Sequence, residues 1–478
     1  MCGVVGIINQ KFSSFYAFDG LRTLQHRGEE SCGMLTFDIS DGRYREHKDA
    51  GLADGVFDEE RLRYLKGSVV IGQTRYPTSG KLEKEEIRLN AQPYYVESPC
   101  LIAAVHNGQF TNQYEMKRLL EKKGRYIKTA GDLEPFLKLF AEYLDKYTTN
   151  DEIKDSYIVK AVKDVRKIAE GGYSVIFLIG KGRDVKLVCF TGRKKIRPLV
   201  YGRKEKSWCV ASETSVLDVL GYEYVADVRY DEVIIINRKG KIKKVKIDGD
   251  GNAFCMFEWT YFSRPDSVIN DVSVYDVRVR LGMITGKKED KKIDVVVPVP
   301  KSGYKYAEGY GKVTGIQPVD ALYKNEYIGR MFIRPPGERK KVSQVKLNPI
   351  KGQIKGNSVA LIDDSIVRGE TMKRNVELLR KAGAREVHVR IGTPKFISPC
   401  YYGVDMTTPE QFIARYKNEE QIAKYIKADS LKYPSIDDLV SAIGKPRNEL
   451  CLGCLTGVYP TNVLKLKKKH HKKLRPYE

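Results

Sequence analysis

The sequence predicts a layered α+β domain followed by an α/β domain built on a parallel sheet. Up to about residue 235 short apolar runs alternate with turns, whereas beyond about residue 255 near-continuous apolar strands alternate with helical stretches. Between them RKGKIKKVKIDGDG (238–251) is polar and glycine-punctuated, the composition of a hand-over between domains. A chain of 478 residues, 42% hydrophobic and 30% charged, is long enough for about three domains and lacks the composition of a disordered chain.

In the first part VVGII (4–8), SVVIG (68–72), LIAAV (101–105), SVIFLIG (174–180), WCVAS (208–212) and EVIIIN (232–237) read as strands. Leu133, Phe136, Leu137, Phe140 and Leu144 recur at helical spacing and predict a helix over 132–146. A second helix is expected over Tyr114–Lys122, with Thr111 or Asn112 as its cap. In the second part IDVVVPVP (293–300), SVALID (358–363) and REVHVRIG (385–392) have the unbroken apolar character of buried parallel strands. Helical patterns follow at Pro409–Ala428 and Ser435–Ile443. The resulting division is 2–238, 252–430 and a C-terminal segment, 431–478, that carries CLGC and the basic run KLKKKHHKKL (465–474).

A net charge of +23 favours polyanionic partners: phosphorylated metabolites, nucleic acid or acidic membrane surfaces. The opening MCGVVGIINQ has no basic leader, and no run approaches the ~20 apolar residues of a membrane span, so a cytoplasmic protein is expected. Nine cysteines, an odd number in so long a chain, point to catalytic thiols or metal ligands rather than a secreted disulfide framework.

Cys2 follows the initiator methionine, which is normally removed before so small a side chain. The exposed α-amine, with an ordinary pKa of about 7.7–8.0, could then take the thiol proton without a histidine. The run continues with LQHRGEESCG (24–33), IGQTRYPTSG (71–80), NAQPY (90–94), HNGQFTN (106–112) and GDLE (131–134). Taken singly, these are a turn Asn-Gly, a surface arginine and a helix-capping aspartate. In this order they resemble the glutaminase domain of class II glutamine amidotransferases, an N-terminal-nucleophile fold. The resemblance implies Cys2 as nucleophile, Arg75 as clamp on the glutamine carboxylate, Asn107 and Gly108 as oxyanion hole, and Asp132 as partner of the α-amine. The chemistry suits the roles: a guanidinium forks onto a carboxylate, a carboxylate accepts from an ammonium, and amide N–H groups meet a developing oxyanion. His26 and His106 are expected to hold local structure.

VALIDDSIVRGET (359–371) runs from an apolar strand through two carboxylates and a glycine turn into a helix, which places backbone N–H groups where a phosphate binds. The run resembles the phosphoribosyl pyrophosphate (PRPP) motif of type I phosphoribosyltransferases. That resemblance implies Asp363 and Asp364 on the ribose hydroxyls, with magnesium, and Ser365, Arg368, Gly369 and Thr371 around the 5′-phosphate.

CMFEWTYFSRPDS (255–267), SVYDVRVRLG (273–282), VPVPKSG (297–303), KNEYIGRMFI (324–333) and KLNPI (346–350) extend the likeness to the amidophosphoribosyltransferase family, as a divergent member of its iron-sulfur branch. The implied reaction converts PRPP, glutamine and water to 5-phosphoribosylamine, glutamate and pyrophosphate, the first step of de novo purine synthesis, with ammonia channelled between two sites. Lys301 and Ser302 fall in the implied pyrophosphate loop. Lys324, Arg330, Arg339, Lys340, Lys341 and Lys346 fall in a loop, 324–348, that would close over PRPP. Cys255, Cys400, Cys451 and Cys454 match the ligands of a [4Fe-4S] cluster, although zinc would accept the same four thiolates. A homotetramer inhibited by purine nucleotides is the family precedent.

Several positions depart from the family pattern: Gln73 in GQTRY, Gly131 and Leu133 in GDLE, TGRKKIRPL (191–199), Glu326 and above all Glu370. A carboxylate about 4 Å from a phosphate charge would cost about 4 kcal/mol at an effective dielectric of 20 if it pointed inward. Two other readings follow. One is a non-synthetic paralogue that keeps the fold and the cluster with a glutaminase or regulatory role. The other is a nucleic-acid-binding protein using the basic tail, which lacks the interleaved aromatics of such surfaces.

Overall fold

The structure, a computed structural model, describes residues 1–76, 83–148, 152–324 and 347–463. Its first half stacks two antiparallel sheets between layers of helices. In chain order the strands are β1 (Gly3–Ile8), β2 (Ser31–Asp38), β3 (Arg43–Ala50), β4 (Val69–Arg75), β5 (Tyr94–Val96), β6 (Leu101–Phe110), β7 (Gly171–Lys181), β8 (Asp184–Thr191), β9 (Val200–Lys204), β10 (Ser207–Ala211), β11 (Glu223–Asp227), β12 (Glu232–Asn237) and β13 (Ile242–Lys246). One sheet has the order β11-β9-β10-β1-β4-β2-β3 and the other β13-β12-β8-β7-β6-β5.

Two-residue alternation builds the layers. Val4 and Ile8 of β1 meet Leu101, Ala103 and Val105 of β6 between the sheets. Val5 and Ile7 face the helix Ser13–Thr23, while Ile102 and Ala104 face the helix Leu133–Tyr147. Every strand expected in this half is present, and the 132–146 periodicity becomes that helix. The second helix runs Gln113–Glu121. Asn112 stands at its cap position, but its amide bonds Ile168 O and Glu170 N instead of capping.

The stretch 238–251 is not linker throughout, so the first layer extends beyond residue 238. Ile242–Lys246 pairs in register with β12 as an edge strand. Its lysines, which made it read as linker, suit an edge exposed to water.

The second half carries a parallel sheet in the order Val295–Pro298, Ser358–Asp363, Glu386–Ile391, Ser430–Lys432. The expected helix over 409–428 is divided: Pro409–Gln411 and Ile413–Tyr416 are short turns, and Asn418 restarts the chain with a capping box into Glu419–Ile426. Ser435 caps Ile436–Ile443. No described helix is long and apolar enough to cross a membrane.

The halves are joined by buried charge. Arg27 bonds Glu213 and, at 2.6 Å, Glu258, and Arg197 lies 3.4 Å from Glu258. Glu213 also accepts from Arg264 N and Ser267 Oγ of the second half. All four charged side chains are essentially inaccessible, so each ion depends on the others to offset its lost hydration.

Candidate functional site

Cys2 is buried immediately before β1, and its backbone N–H donates to Asn107 Oδ1 at 3.2 Å. Asn107 Nδ2 is buried with no hydrogen-bond partner, an unused donor on the amide that Cys2 N–H contacts. Gly108 follows on β6 at φ 129°, where an added Cβ would lie 1.9 Å from Gly172 O, so only glycine fits. The described chain carries Met1, whose α-amine is pushed down to about 5, chiefly by burial and next by the charges of Arg197 and Arg27 against those of Cys2 and Glu258.

Arg75 ends β4, and its guanidinium is held by Glu30, next to the start of β2. Burial raises the Glu30 carboxyl despite Arg75. Asp132 occupies the cap position of Leu133–Tyr147 without capping it; its carboxylate instead accepts from Phe110 N at 2.8 Å. Burial works to raise Asp132, but His106, 3.4 Å away, and the Phe110 N–H hold it below the usual carboxylate range. Gln92 sits 2.9 Å from His106 Nδ1, and the other ring nitrogen, Nε2, lies 3.4 Å from Asp132. Gln73, one of the departures, donates to Gln92 and to His106 O and so completes this support. His26 Nε2 lies 2.7 Å from Glu213, within the buried charges that join the halves.

Asp363 ends the strand Ser358–Asp363, and Asp364 follows it. Both are buried, and burial together with their mutual proximity pushes the Asp363 carboxyl well up. Burial raises Asp364 as well, against the pull of Ser365. Ser302 donates to Asp363 at 2.6 Å and thereby ties the expected pyrophosphate loop to the acidic pair. Lys301 is exposed at φ 71°, a backbone conformation held under strain. Arg368 and Thr371 are exposed, and Gly369 caps the helix Glu370–Lys381 at φ 84°. Glu370 is exposed at the first position of that helix, where a carboxylate complements the N-terminal dipole. Lys324 is exposed and pairs with Leu347, framing the segment between them. Arg330, Arg339, Lys340, Lys341, Lys346 and Glu326 lie outside the described residues.

Cys255, Cys400, Cys451 and Cys454 line one apolar pocket with Phe257, Tyr402, Val404, Met406 and Tyr459. Cys255 and Cys451 are paired in register where β14 (Phe254–Cys255) meets Leu450–Cys451 in parallel. Burial raises the Cys255 thiol to about 11 and pushes Cys451 and Cys454 up further, with neighbouring thiols adding to the shift. Four soft donors in a dry pocket fit a sulfur-ligated metal. Glu30, Gln92, Arg197, Glu213 and Glu258 were not among the expected site residues; HRGEE and RPL hold Glu30 and Arg197, but nothing in those runs names a partner.

A family profile described as a glutamine amidotransferase domain matches residues 81–219. The fold is that of a class II, N-terminal-nucleophile glutamine amidotransferase joined to a type I phosphoribosyltransferase sheet. The chain is 41% identical to the amidophosphoribosyltransferase of Methanocaldococcus jannaschii, covering 97% of this chain and 98% of that one. It is 36% identical to the Escherichia coli enzyme of the same name over 93% of this chain and 88% of that one. The solved glutamine PRPP amidotransferase from B. subtilis, complexed with ADP and GMP, superposes with a TM-score of 0.86 at 34% identity, covering 97% of this chain and 98% of that one. The chain belongs to the amidophosphoribosyltransferase family.

Proposed function

We propose that this chain makes 5-phosphoribosylamine from PRPP and glutamine, the first step of purine synthesis, with the residues described above in catalytic roles. Once Met1 is removed, the Cys2 amine takes the thiol proton and sulfur attacks the glutamine carboxamide carbon. Asn107 Nδ2 and the Gly108 N–H receive the oxyanion. Ammonia leaves, and water cleaves the resulting thioester to glutamate. Arg75 binds the substrate carboxylate, displacing Glu30, while ionised Asp132 binds the α-ammonium. In the second half ammonia attacks C1 of PRPP and pyrophosphate departs. Ser365, Arg368, Gly369 and Thr371 hold the 5′-phosphate, and Lys301, Ser302 and Lys324 attend the pyrophosphate.

Asp363 and Asp364 hold the ribose hydroxyls and offer the hard oxygen donors that magnesium requires; the ion would offset the charge on pyrophosphate. The four cysteines hold a [4Fe-4S] cluster. A single zinc would draw four sulfurs to about 3.8 Å of one another at its 2.3 Å bonds. The apolar pocket that all four cysteines line, with Cys255 and Cys451 paired in register, supports a sulfur-ligated centre. A cytoplasmic homotetramer regulated by purine nucleotides completes the proposal.

The observation that carries the reading is the unspent Asn107 amide beside Cys2. The test is intact-mass analysis: the mature chain begins at Cys2 and gains a γ-glutamyl adduct there during turnover. A chain that keeps Met1 and still hydrolyses glutamine refutes it.

A further inference from the structure

The loop from Cys400 to Met406 touches both the four-cysteine pocket and the glutaminase strand. Its first turn folds onto the sulfur, since Tyr402 N–H donates to Cys400 Sγ at 3.4 Å. Cys400 N–H closes the loop by donating to Met406 O at 2.8 Å. The Tyr402 carbonyl accepts from Arg197, through Nε at 3.1 Å and again through a second guanidinium nitrogen. Arg197 is fully buried; its remaining nitrogen contacts Met1 Sδ and approaches Glu258. The next residue, Gly403, is buried at φ 100°, and an added Cβ would lie 3.1 Å from both C and O of Gly108. A single peptide segment therefore spans from a cluster cysteine to the backbone of the proposed oxyanion hole.

We propose that Gly403 and Arg197 are positioning residues for glutamine hydrolysis, through which the four-cysteine centre sets the backbone of the oxyanion hole. The inference rests on the reading of Cys2, Gly108 and the four cysteines given above. Donors aimed at an oxyanion lose effect with small displacements, because their value lies in being fixed before the charge forms. A loop that relaxes on loss of its metal would release Gly108 from one side and leave the ribose-binding aspartates where they are.

The test uses the full chain, purified without oxygen, as wild type, Gly403→Ala and Arg197→Lys. Lysine keeps the charge beside Glu258 but cannot repeat the paired bonds to Tyr402, and it serves if the alanine variant fails to fold. Glutamine-dependent turnover should fall about tenfold or more in kcat in each variant, with the glutamine KM and the rate of synthesis from free ammonia within about twofold. Stripping iron from the wild type should reproduce that loss and add little in Gly403→Ala. Equal losses with glutamine and with ammonia would mark general destabilisation and overturn the inference, as would a glutamine kcat indifferent to iron. If the chain binds no iron, the cluster reading fails separately: the metal's part in the inference falls with it, and the two variants still decide whether the loop positions Gly108.

Discussion

In the glutamine half Arg75, Asn107 and Gly108 belong to strands whose pairing fixes them, Asn107 opposite Ser174 and Gly108 opposite Tyr173, and Cys2 adjoins β1. In the PRPP half hydrogen bonds tie Ser302 to Asp363 and Ser365 to Asp364, while Arg368, Thr371, Lys301 and Lys324 are exposed. The proposed glutamine centre is thus held by sheet pairing, whereas the proposed PRPP centre has a buried acidic floor beneath exposed side chains. Substitutions should therefore cut deepest in the first centre and in the floor of the second.

Cys2→Ala removes the proposed nucleophile and should lower glutamine-dependent synthesis by about 10³-fold or more, leaving synthesis from ammonia intact. Asn107→Ala should cost about 10²-fold in kcat for glutamine with KM little changed, since the amide is spent in the transition state. Asp364→Asn should lower PRPP-dependent turnover about 10-fold to 10²-fold, while basal glutamine hydrolysis, assayed without PRPP, stays near wild type.

Acidity should separate the centres. Asp132 is held below the ordinary carboxylate value and stays ionised as pH falls, whereas Asp363 and Asp364 are held above it and take up protons first. KM profiles between pH 8 and 5 should show PRPP affinity lost at a higher pH than glutamine affinity; the reverse order would contradict the comparison. The smallest effect is expected from Glu370→Thr: because that side chain is exposed at a helix start, the PRPP KM should move by less than about threefold.

The parts legible in the sequence were those whose chemistry is local. Cys2, the Asn107-Gly108 pair and the paired aspartates at a strand's end each have an ordinary reading alone, and it is the order of the short runs around them that carries the resemblance. Arg27, Arg197, Glu213 and Glu258 carry no such signal, because a buried ion pair between segments about 200 residues apart leaves no periodic trace. Ile242–Lys246 read as linker because an edge strand's outward lysines mask its alternation. Whether a carboxylate at 370 threatens the phosphate site depends on where it points; the structure leaves it exposed at the first position of the helix, between Gly369 and Thr371.

Glutamine hydrolysis by the full chain, followed with and without PRPP and magnesium while glutamate and pyrophosphate are both counted, tests the coupling of the two centres most directly. The account predicts that PRPP accelerates glutamate release and that the two products appear in equal amounts. Glutamate release indifferent to PRPP, with no pyrophosphate formed, would contradict it.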